Sequence, residues 1–271
     1  MQPKVSVIVP CYNYAKFLPF ALDSLLAQSL QEWECVIVDD GSSDDTGHVA
    51  RAYVNRDGRF RYIYQQNKGL SAARNTGLVA TGAPYIQLLD ADDLLDERKL
   101  QLQAAYLDEH TQVAVLYGDE AFFHTNTPEQ RHKGRDKSYN RDGYLKRSGS
   151  GQEMVAAFAV NNFISVSSPL IRRSLVNDIG NFDTAYRSYE DWHFWFRAAA
   201  AGAAFAYEPI PGTETYIRYG HTSMLTNQAK LTEAGIRIRK FMMPYLPVRL
   251  KLYNTYRLSK LFTRSLLQGK K

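Results

Sequence analysis

The sequence has few cysteines, no long apolar run and no leader pattern at its N-terminus. Its 271 residues include two cysteines, Cys11 and Cys35, too few for a secreted disulfide framework and without the CxxC spacing of a zinc or redox site. The longest uncharged apolar runs, residues 5–10 and 198–206, fall far short of the ~20 residues that cross a bilayer. The first residues lack a basic, then apolar, secretory leader. We therefore expect a cytoplasmic protein without transmembrane helices.

Acidic residues are scarce at the C-terminal end. Residues 226–271 hold 11 Lys and Arg and one Glu, a balance of +10, which leaves 22 basic and 27 acidic residues, or −5, in the rest of the chain. A mildly acidic body disfavours nucleic acid as a partner. The basic segment has helical character, interrupted at Pro244 and Pro247. Two interpretations stay open: an amphipathic helix in peripheral contact with the inner face of the cell membrane, or a helix packed on the domain with a solvated basic face.

The composition is that of an ordinary globular protein, with 45% hydrophobic and 23% charged residues, which excludes wholesale disorder and coiled coil. Short β-branched runs alternate with amphipathic stretches in the first hundred residues, and this alternation predicts an α/β fold with a mostly parallel, Rossmann-like central sheet. Predicted strands cover residues 5–9, 35–38, 61–64 and 84–89. Further along we expect a surface loop over 124–151, a strand over 163–171 and a helix over 188–201 with Ser188 as its N-cap.

Polar clusters directly follow three predicted strands: Tyr12–Asn13, Asp39–Asp40 and Asp90–Asp93. Ligands of parallel sheets bind beyond the carboxyl ends of the strands. Repulsion among the acids of the third cluster favours binding of a divalent cation, Mg or Mn. Water and a substrate diphosphate would take the coordination positions of the cation that the protein leaves open. A solvated turn is the alternative for this cluster, and an Asx turn for Asp39–Asp40.

An ordered set of motifs resembles family 2 glycosyltransferases. The motifs are VSVIVPCYN at 5–13, VIVDDGSSD at 36–44, NKGLSAARN at 67–75, LDADD at 89–93, GNFD at 180–183, and Glu190-Asp191-Trp192 with Arg197. The resemblance covers roughly residues 4–225. It implies a GT-A fold, an inverting reaction and a nucleotide-diphosphate sugar donor, with UDP preferred. We expect a GT-A domain over 1–225, with a donor-binding half over about 1–118 and an acceptor-binding half over about 119–225, followed by the basic helical segment 226–271.

The resemblance also implies a role for each matching position. The nucleotide would be bound by Pro10, Tyr12, Asp39, Asp40, Arg74 and Asp90, the metal by Asp92 and His221, and the acceptor by Glu190 and Trp192, with Asp191 as the catalytic base. Simpler interpretations remain open: Trp192 as a packed core residue, Glu190-Asp191 as acids at a helix start, and His221 as an ordinary polar residue.

Asp191 is subject to two opposed effects. The dipole of the predicted helix favours its charged form, whereas Glu190 and the Asp90 cluster would raise its pKa. The sequence does not decide between these two effects.

The predicted activity is transfer of a sugar to a glycan or lipid-linked acceptor. A nucleotidyltransferase and a non-catalytic sugar-nucleotide-binding protein are the alternatives; the first strand lacks the glycine-rich loop and lysine expected of the former.

Overall fold

The computed structural model describes residues 2–132, 146–221 and 228–268. In chain order the described elements are β1 Val5–Cys11, α1 Leu18–Leu26, β2 Trp33–Asp39, α2 Thr46–Arg56, β3 Phe60–Tyr64, α3 Leu70–Val79, β4 Tyr85–Leu88, β5 Leu94–Leu95, α4 Lys99–Glu109, β6 Val113–Tyr117, β7 Glu120–His124, β8 Thr127–His132, β9 Gly149–Ser150, α5 Gly151–Val160, β10 Leu170–Arg172, α6 Arg173–Ile179, α7 Glu190–Ala200, β11 Ala204–Tyr207, β12 Thr215–Tyr219, α8 Gln228–Met242 and α9 Val248–Gln268.

The main sheet confirms the predicted α/β class. Over the described residues its eight strands have the order β3-β2-β1-β4-β10-β6-β11-β9. The first four strands are parallel neighbours, as predicted. The other half is mixed, because β10 runs antiparallel to both β4 and β6 while β11 is parallel to β6 and antiparallel to β9. Every residue of β1 is buried, which fits a central strand covered on both faces.

Two apolar cores lie on the two sides of this sheet. Alternate residues of a strand point to opposite faces, and Val7 and Ile8 of β1 accordingly belong to different buried clusters. Helix α3 approaches β1 closely at Gly77, where an added Cβ would lie 2.3 Å from Ile8 Cγ2. This close contact fixes α3, which carries Arg74, beside β1, the strand that ends directly before Tyr12.

A second sheet of order β5-β12-β7-β8 stands beside the first. Its β7–β8 hairpin falls partly within residues 124–151, where the sequence predicted a surface loop, so that part of the prediction was wrong. The strand β8, with Pro128 in it, is largely exposed and polar, so it lacks the apolar alternation by which a strand is predicted. Residues 133–145 of the predicted loop lie outside the described residues.

Two other element predictions need correction. The strand expected over 163–171 is instead the short strand Leu170–Arg172, and the serines before it donate side-chain hydrogen bonds to Glu120 of β7 and to Asp93. The helix expected from Ser188 begins at Glu190, with Tyr189 as N-cap at a φ of 58° and no side-chain cap hydrogen bond.

The predicted helical C-terminal segment is confirmed. A 3-10 turn at Met243–Tyr245 separates α8 from α9. Helix α8 is part of the main body, since Ile238 and Met242 are buried in the same cluster as α5 and α7. Among the described residues, no helix is long and apolar enough to cross a membrane.

Candidate active site

A cleft of about 1080 Å³ opens where β1 and β4 end. Its walls are the loops after these strands, the start of α7, the end of β12 and one side of α8. The predicted site residues that line it are Pro10, Tyr12, Asp40, Arg74, Asp90, Asp92, Glu190, Asp191, Trp192 and His221. The topology therefore brings together residues from both predicted halves of the domain in a concave site of the size that small-molecule ligands occupy.

Arg74 links the two sides of this cleft. Its side chain is 1% exposed, and it donates hydrogen bonds from Nη2 to Asp90 Oδ1 at 2.8 Å and from Nη1 to Glu190 Oε1 at 2.7 Å. Burial raises the pKa of Asp90, and the guanidinium of Arg74 opposes that rise. The bridge fixes the end of β4 against the first turn of α7.

Asp93 supports the acidic loop from behind. Its Oδ2 accepts a hydrogen bond from Ser167 Oγ at 2.7 Å, and its Oδ1 accepts one from the backbone N–H of Arg218 at 3.1 Å. Ser167 Oγ also accepts from the backbone N–H of Asp90 at 3.1 Å. Asp93 is buried and its pKa is well above the usual range because of that burial. Asp93 thus holds the loop, while Asp92 faces the cleft.

The side chains of Asp92 and His221 place two potential metal-ligand atoms side by side. Asp92 Oδ2 lies 2.8 Å from His221 Nε2, yet within the described part of the chain neither ring nitrogen of His221 has an aligned hydrogen-bond partner. An oxygen and a nitrogen this close together, without a linear hydrogen bond between them, suit coordination of one cation. The described residues contain no group of three or more His, Cys, Asp or Glu side chains able to hold a metal. Two side chains alone would leave the other coordination positions of a cation to water and a diphosphate, and the metal-binding role of Asp92 and His221 stays a prediction.

The loop after β2 uses its acids mainly to hold itself together. Asp40 accepts hydrogen bonds from Gln65 Nε2 at 2.7 Å and from the backbone N–H groups of Lys68 at 2.9 Å and Gly69 at 2.7 Å. Asp39 accepts from Ser42 N and Tyr62 Oη and is not among the residues that line the cleft. Asp40 thus shapes the edge of the cleft, and the nucleotide contacts assigned to Asp39 and Asp40 stay predictions.

Tyr12 stands at the mouth of the cleft. Its side chain is 48% exposed, and the chain turns sharply after it, with Asn13 in the left-handed region at a φ of 58°. Asn13 Oδ1 accepts from the backbone N–H of Ser43 at 2.8 Å, which ties the β1 loop to the β2 loop. An exposed aromatic face on a fixed turn beside Pro10 suits stacking on a flat ring such as a nucleobase.

Asp191 lies on the opposite wall, in the first turn of α7. Its Oδ2 accepts a hydrogen bond from Asn162 Nδ2 at 2.8 Å, and its Oδ1 lies 2.7 Å from the backbone N of Trp192. Burial raises the pKa of Asp191 to about 7, Glu190 adds to the rise, and Arg74 and these hydrogen bonds oppose it. The effects that raise the pKa thus outweigh those that lower it. A carboxylate with this pKa can accept a proton near neutral pH.

The two residues predicted to contact the acceptor are already engaged within the protein. Trp192 is buried, and its Nε1–H donates to the carbonyl of Phe158 at 2.8 Å. Glu190 is paired with Arg74. Both border the cleft, so their contact with an acceptor stays a prediction.

Sequence reasoning missed several residues that organise the site. Ser167 belongs to the stretch interpreted as a strand, and Asn162 directly precedes that stretch. Arg218 donates from Nε to the carbonyl of Asp92 at 3.0 Å. The available signal was the polar run in Asn161-Asn162 and Ser165–Ser168, which is unusual within an otherwise apolar segment. Five residues of α8 also line the cleft, three of them charged: Lys230, Glu233 and Arg237. The predicted boundary at 225 and 226 left them outside.

A mixed α/β sheet with an acidic loop beyond its central strands and a carboxylate on the facing helix is the architecture of GT-A type glycosyltransferases. The sequence agrees with that architecture, since the model of glycosyl transferase family 2 matches residues 6–180. The chain belongs to this family.

Relatives and solved structures are similar over different parts of the chain. The uncharacterized glycosyltransferase EpsJ of Bacillus subtilis (strain 168) is 46% identical over 101 residues, which is 37% of this chain and 29% of EpsJ. The match thus spans less than a third of that relative. The structure of S. aureus TarS 1-349 in complex with UDP-GlcNAc has a TM-score of 0.70 at 22% identity, covering 96% of this chain and 72% of that chain. The mannosyltransferase PcManGT from Pyrobaculum calidifontis, in complex with GDP-Man and Mn²⁺, has a TM-score of 0.67 at 17% identity, covering all of this chain and 76% of the other. At these identities the structures establish a shared fold.

Proposed function

We propose that this protein transfers a sugar, with inversion at the anomeric carbon, from a nucleotide-diphosphate sugar to a hydroxyl of a glycan or lipid-linked acceptor. The observation that carries the proposal is the placement of the Asp92–His221 pair and of Asp191 in one cleft. An inverting transfer needs stabilisation of a leaving diphosphate and a base for the attacking hydroxyl, both near one anomeric carbon. The cleft offers both.

The donor would lie along the β1 and β4 side. Tyr12 offers its ring to the base, Asp40 holds the loop beside it, and Asp90 is available for the ribose while Arg74 fixes its carboxylate. UDP is the proposed nucleotide, on the family resemblance and on the TarS complex with UDP-GlcNAc. The GDP-Man in the PcManGT complex makes a guanine nucleotide the first competitor to test.

The diphosphate would lie at Asp92 and His221. A Mg²⁺ or Mn²⁺ ion held by these two side chains would neutralise charge on the leaving group. The PcManGT complex contains Mn²⁺, which supports a divalent cation in this fold. Asp92 is held in place through its backbone carbonyl, which accepts from Arg218 Nε at 3.0 Å.

The acceptor would enter from the side of α5, α7 and α8. Asp191 takes the proton from its hydroxyl, and Asn162 keeps the carboxylate oriented through Oδ2. Glu190, fully engaged with Arg74, and Trp192, which backs the first turn, would shape the wall against which the acceptor rests. Contact of residues 226–271 with a membrane belongs to this proposal as the means by which a lipid-linked acceptor is reached.

A donor screen with purified protein tests the proposal. Nucleotide sugars are added with Mg²⁺ or Mn²⁺, and both the melting temperature and the release of nucleoside diphosphate are measured, since a ligand that binds the folded state raises Tm. We expect one nucleotide class to stabilise the protein only with metal and to be turned over once an acceptor is added. Stabilisation without any turnover would favour the non-catalytic alternative, and release of pyrophosphate from nucleoside triphosphates would favour a nucleotidyltransferase.

A further inference from the structure

The outer side of α9 carries a row of large apolar side chains. They are Val248, Leu252, Tyr256, Phe262 and Leu266, all exposed, with Val248 at 76% and Leu252 and Leu266 at 70%. At about 100° per residue these five positions fall within an arc of roughly 120°. Single exposed apolar residues are common on protein surfaces, but a row of five on one helix face indicates a contact surface.

The other side of α9 attaches the helix to the protein. Asn254 is buried, donates from Nδ2 to the carbonyl of Arg239 at 2.7 Å and accepts from Arg239 Nη1 at 2.9 Å. Leu261 packs at Gly235 of α8, where an added Cβ would lie 3.2 Å from Leu261 Cδ1. Helix α9 is therefore held mainly by its inner side, and of the apolar row Phe262 also contacts α8, with the Lys240 ammonium 5.4 Å from its ring centre.

Positive charge borders the apolar row. Residues 248–268 contain five basic residues and no acidic one. At the same helical pitch, Arg249 and Lys260 lie within about 40° of one border of the row and Lys251 within about 20° of the other, whereas Arg257 and Arg264 lie nearer the side attached to α8. The Lys260 ammonium lies 4.5 Å from the ring centre of Tyr256, so its apolar stem runs beside the row. We call this combined surface the basic-apolar face of α9.

We propose that the basic-apolar face docks the protein on a bilayer that contains anionic phospholipid, with α9 lying in the plane of the interface. Apolar side chains on such a helix enter the boundary between headgroups and acyl chains, while flanking Lys and Arg contact anionic headgroups. A second copy of this chain fits the face less well, because pairing two such faces would bring six basic side chains together without an acid. Charge complementarity thus selects the anionic surface.

Docking also has a consequence for the cleft. Helix α8 lies between α9 and the cleft, contributing Glu233 and Arg237 to the cleft wall and Gly235 to the contact with α9. A bilayer under α9 would hold the cleft one helix away from the membrane surface. The use of this position to reach a lipid-linked acceptor rests on the proposed function; the docking itself does not.

Co-sedimentation of the 271-residue protein with vesicles tests the docking. Vesicles of phosphatidylcholine with 30% phosphatidylglycerol are compared with pure phosphatidylcholine, at low and at high salt. We expect binding to the anionic vesicles alone, weakened by salt. The Leu252→Ser/Leu266→Ser variant should bind at least tenfold more weakly, since each leucine buries apolar surface, and Arg249→Gln/Lys260→Gln about 30-fold more weakly at low salt.

Matched variants control for nonspecific effects. Tyr64→Ser/Val79→Ser removes two apolar side chains that are 60% and 80% exposed on the opposite half of the protein, and Arg51→Gln/Arg56→Gln removes two exposed charges from α2. Both controls should bind like the unchanged protein. All of these residues are exposed, and a thermal melt checks that each variant is folded.

The proposal is overturned if anionic and neutral vesicles bind equally, if the control variants lose as much binding as the α9 variants, or if no binding occurs at low salt. It is also overturned if sedimentation velocity shows a dimer that Leu252→Ser/Leu266→Ser dissociates. Sugar transfer to a water-soluble acceptor is measured in parallel. If the protein transfers sugar but does not bind vesicles, the docking proposal fails and the proposed function stands.

Discussion

Arg74 and Glu190 are 116 positions apart in the chain, and the guanidinium of one donates to the carboxylate of the other at 2.7 Å inside the protein. A second bond from the same guanidinium reaches Asp90. One buried cation therefore holds together the acidic loop of the donor side and the helix that carries Asp191. Its charge also opposes the rise in the pKa of Asp191, so the bridge affects both the geometry of the site and the proton affinity of the proposed base.

Replacing Arg74 by Met should destabilise the protein strongly. Removing one partner of a buried ion pair typically costs about 3–5 kcal/mol, because the remaining charges lose their compensation. The matched change Arg56→Met disrupts an exposed pair with Asp23 at 3.5 Å and should cost under about 1 kcal/mol. Urea denaturation measures both free energies of unfolding. Equal losses in the two variants would show that the Arg74 bridge is not structurally important.

Replacing Asp191 by Asn should lower kcat by roughly 100-fold to 10,000-fold, the usual contribution of a general base, while the donor still binds. The control Asp178→Asn changes an exposed carboxylate on α6 and should leave kcat unchanged. Turnover measurements give kcat, and calorimetric titration with the donor gives the affinity for the donor. An unchanged kcat in the Asp191→Asn variant would show that Asp191 is not the catalytic base.

The pH dependence of kcat/KM should show an acid limb near pH 7. The pKa of Asp191 is raised to about 7, so below that pH the carboxyl is protonated and cannot accept a proton. Activity should rise about tenfold per pH unit and level off above the pKa. Replacing Asn162 by Ala should move the limb to higher pH, because the hydrogen bond from Asn162 lowers the pKa of Asp191. A limb near pH 4, or one unaffected by the Asn162 change, would contradict this assignment.

Replacing Asp92 by Ala should remove the part of donor affinity that depends on metal. Isothermal titration with the donor, with and without Mn²⁺, measures that part directly. The control Asp45→Ala removes an exposed carboxylate at the start of α2 that makes no side-chain cap hydrogen bond, and it should keep the full metal response. An Asp92→Ala protein that retains this response would place the cation elsewhere.

The parallel part of the fold was predictable because β1, β2 and β4 are buried on both faces and separated by amphipathic helices. The mixed half was not, since β9 and β10 are strands of two and three residues, too short to give a periodic pattern. For the site, motifs at the strand ends identified the acids that line the cleft. They could not indicate that Asp40 accepts hydrogen bonds from backbone N–H groups. Nor could they indicate that Asn162 donates to Asp191 and Ser167 to Asp93. All of these contacts join segments that are far apart in sequence.

The place of α8 in the cleft wall limits how this enzyme can be recombined with its relatives. A chimaera that exchanges only the stretch before residue 226 would join the other walls of a foreign cleft to the original Glu233 and Arg237. It would also set Ile238 and Met242 against a core for which they were not selected. An intact cleft in such a chimaera therefore requires α8 to be exchanged together with the rest of the cleft wall, and α9 with it, because Asn254 is bound to Arg239.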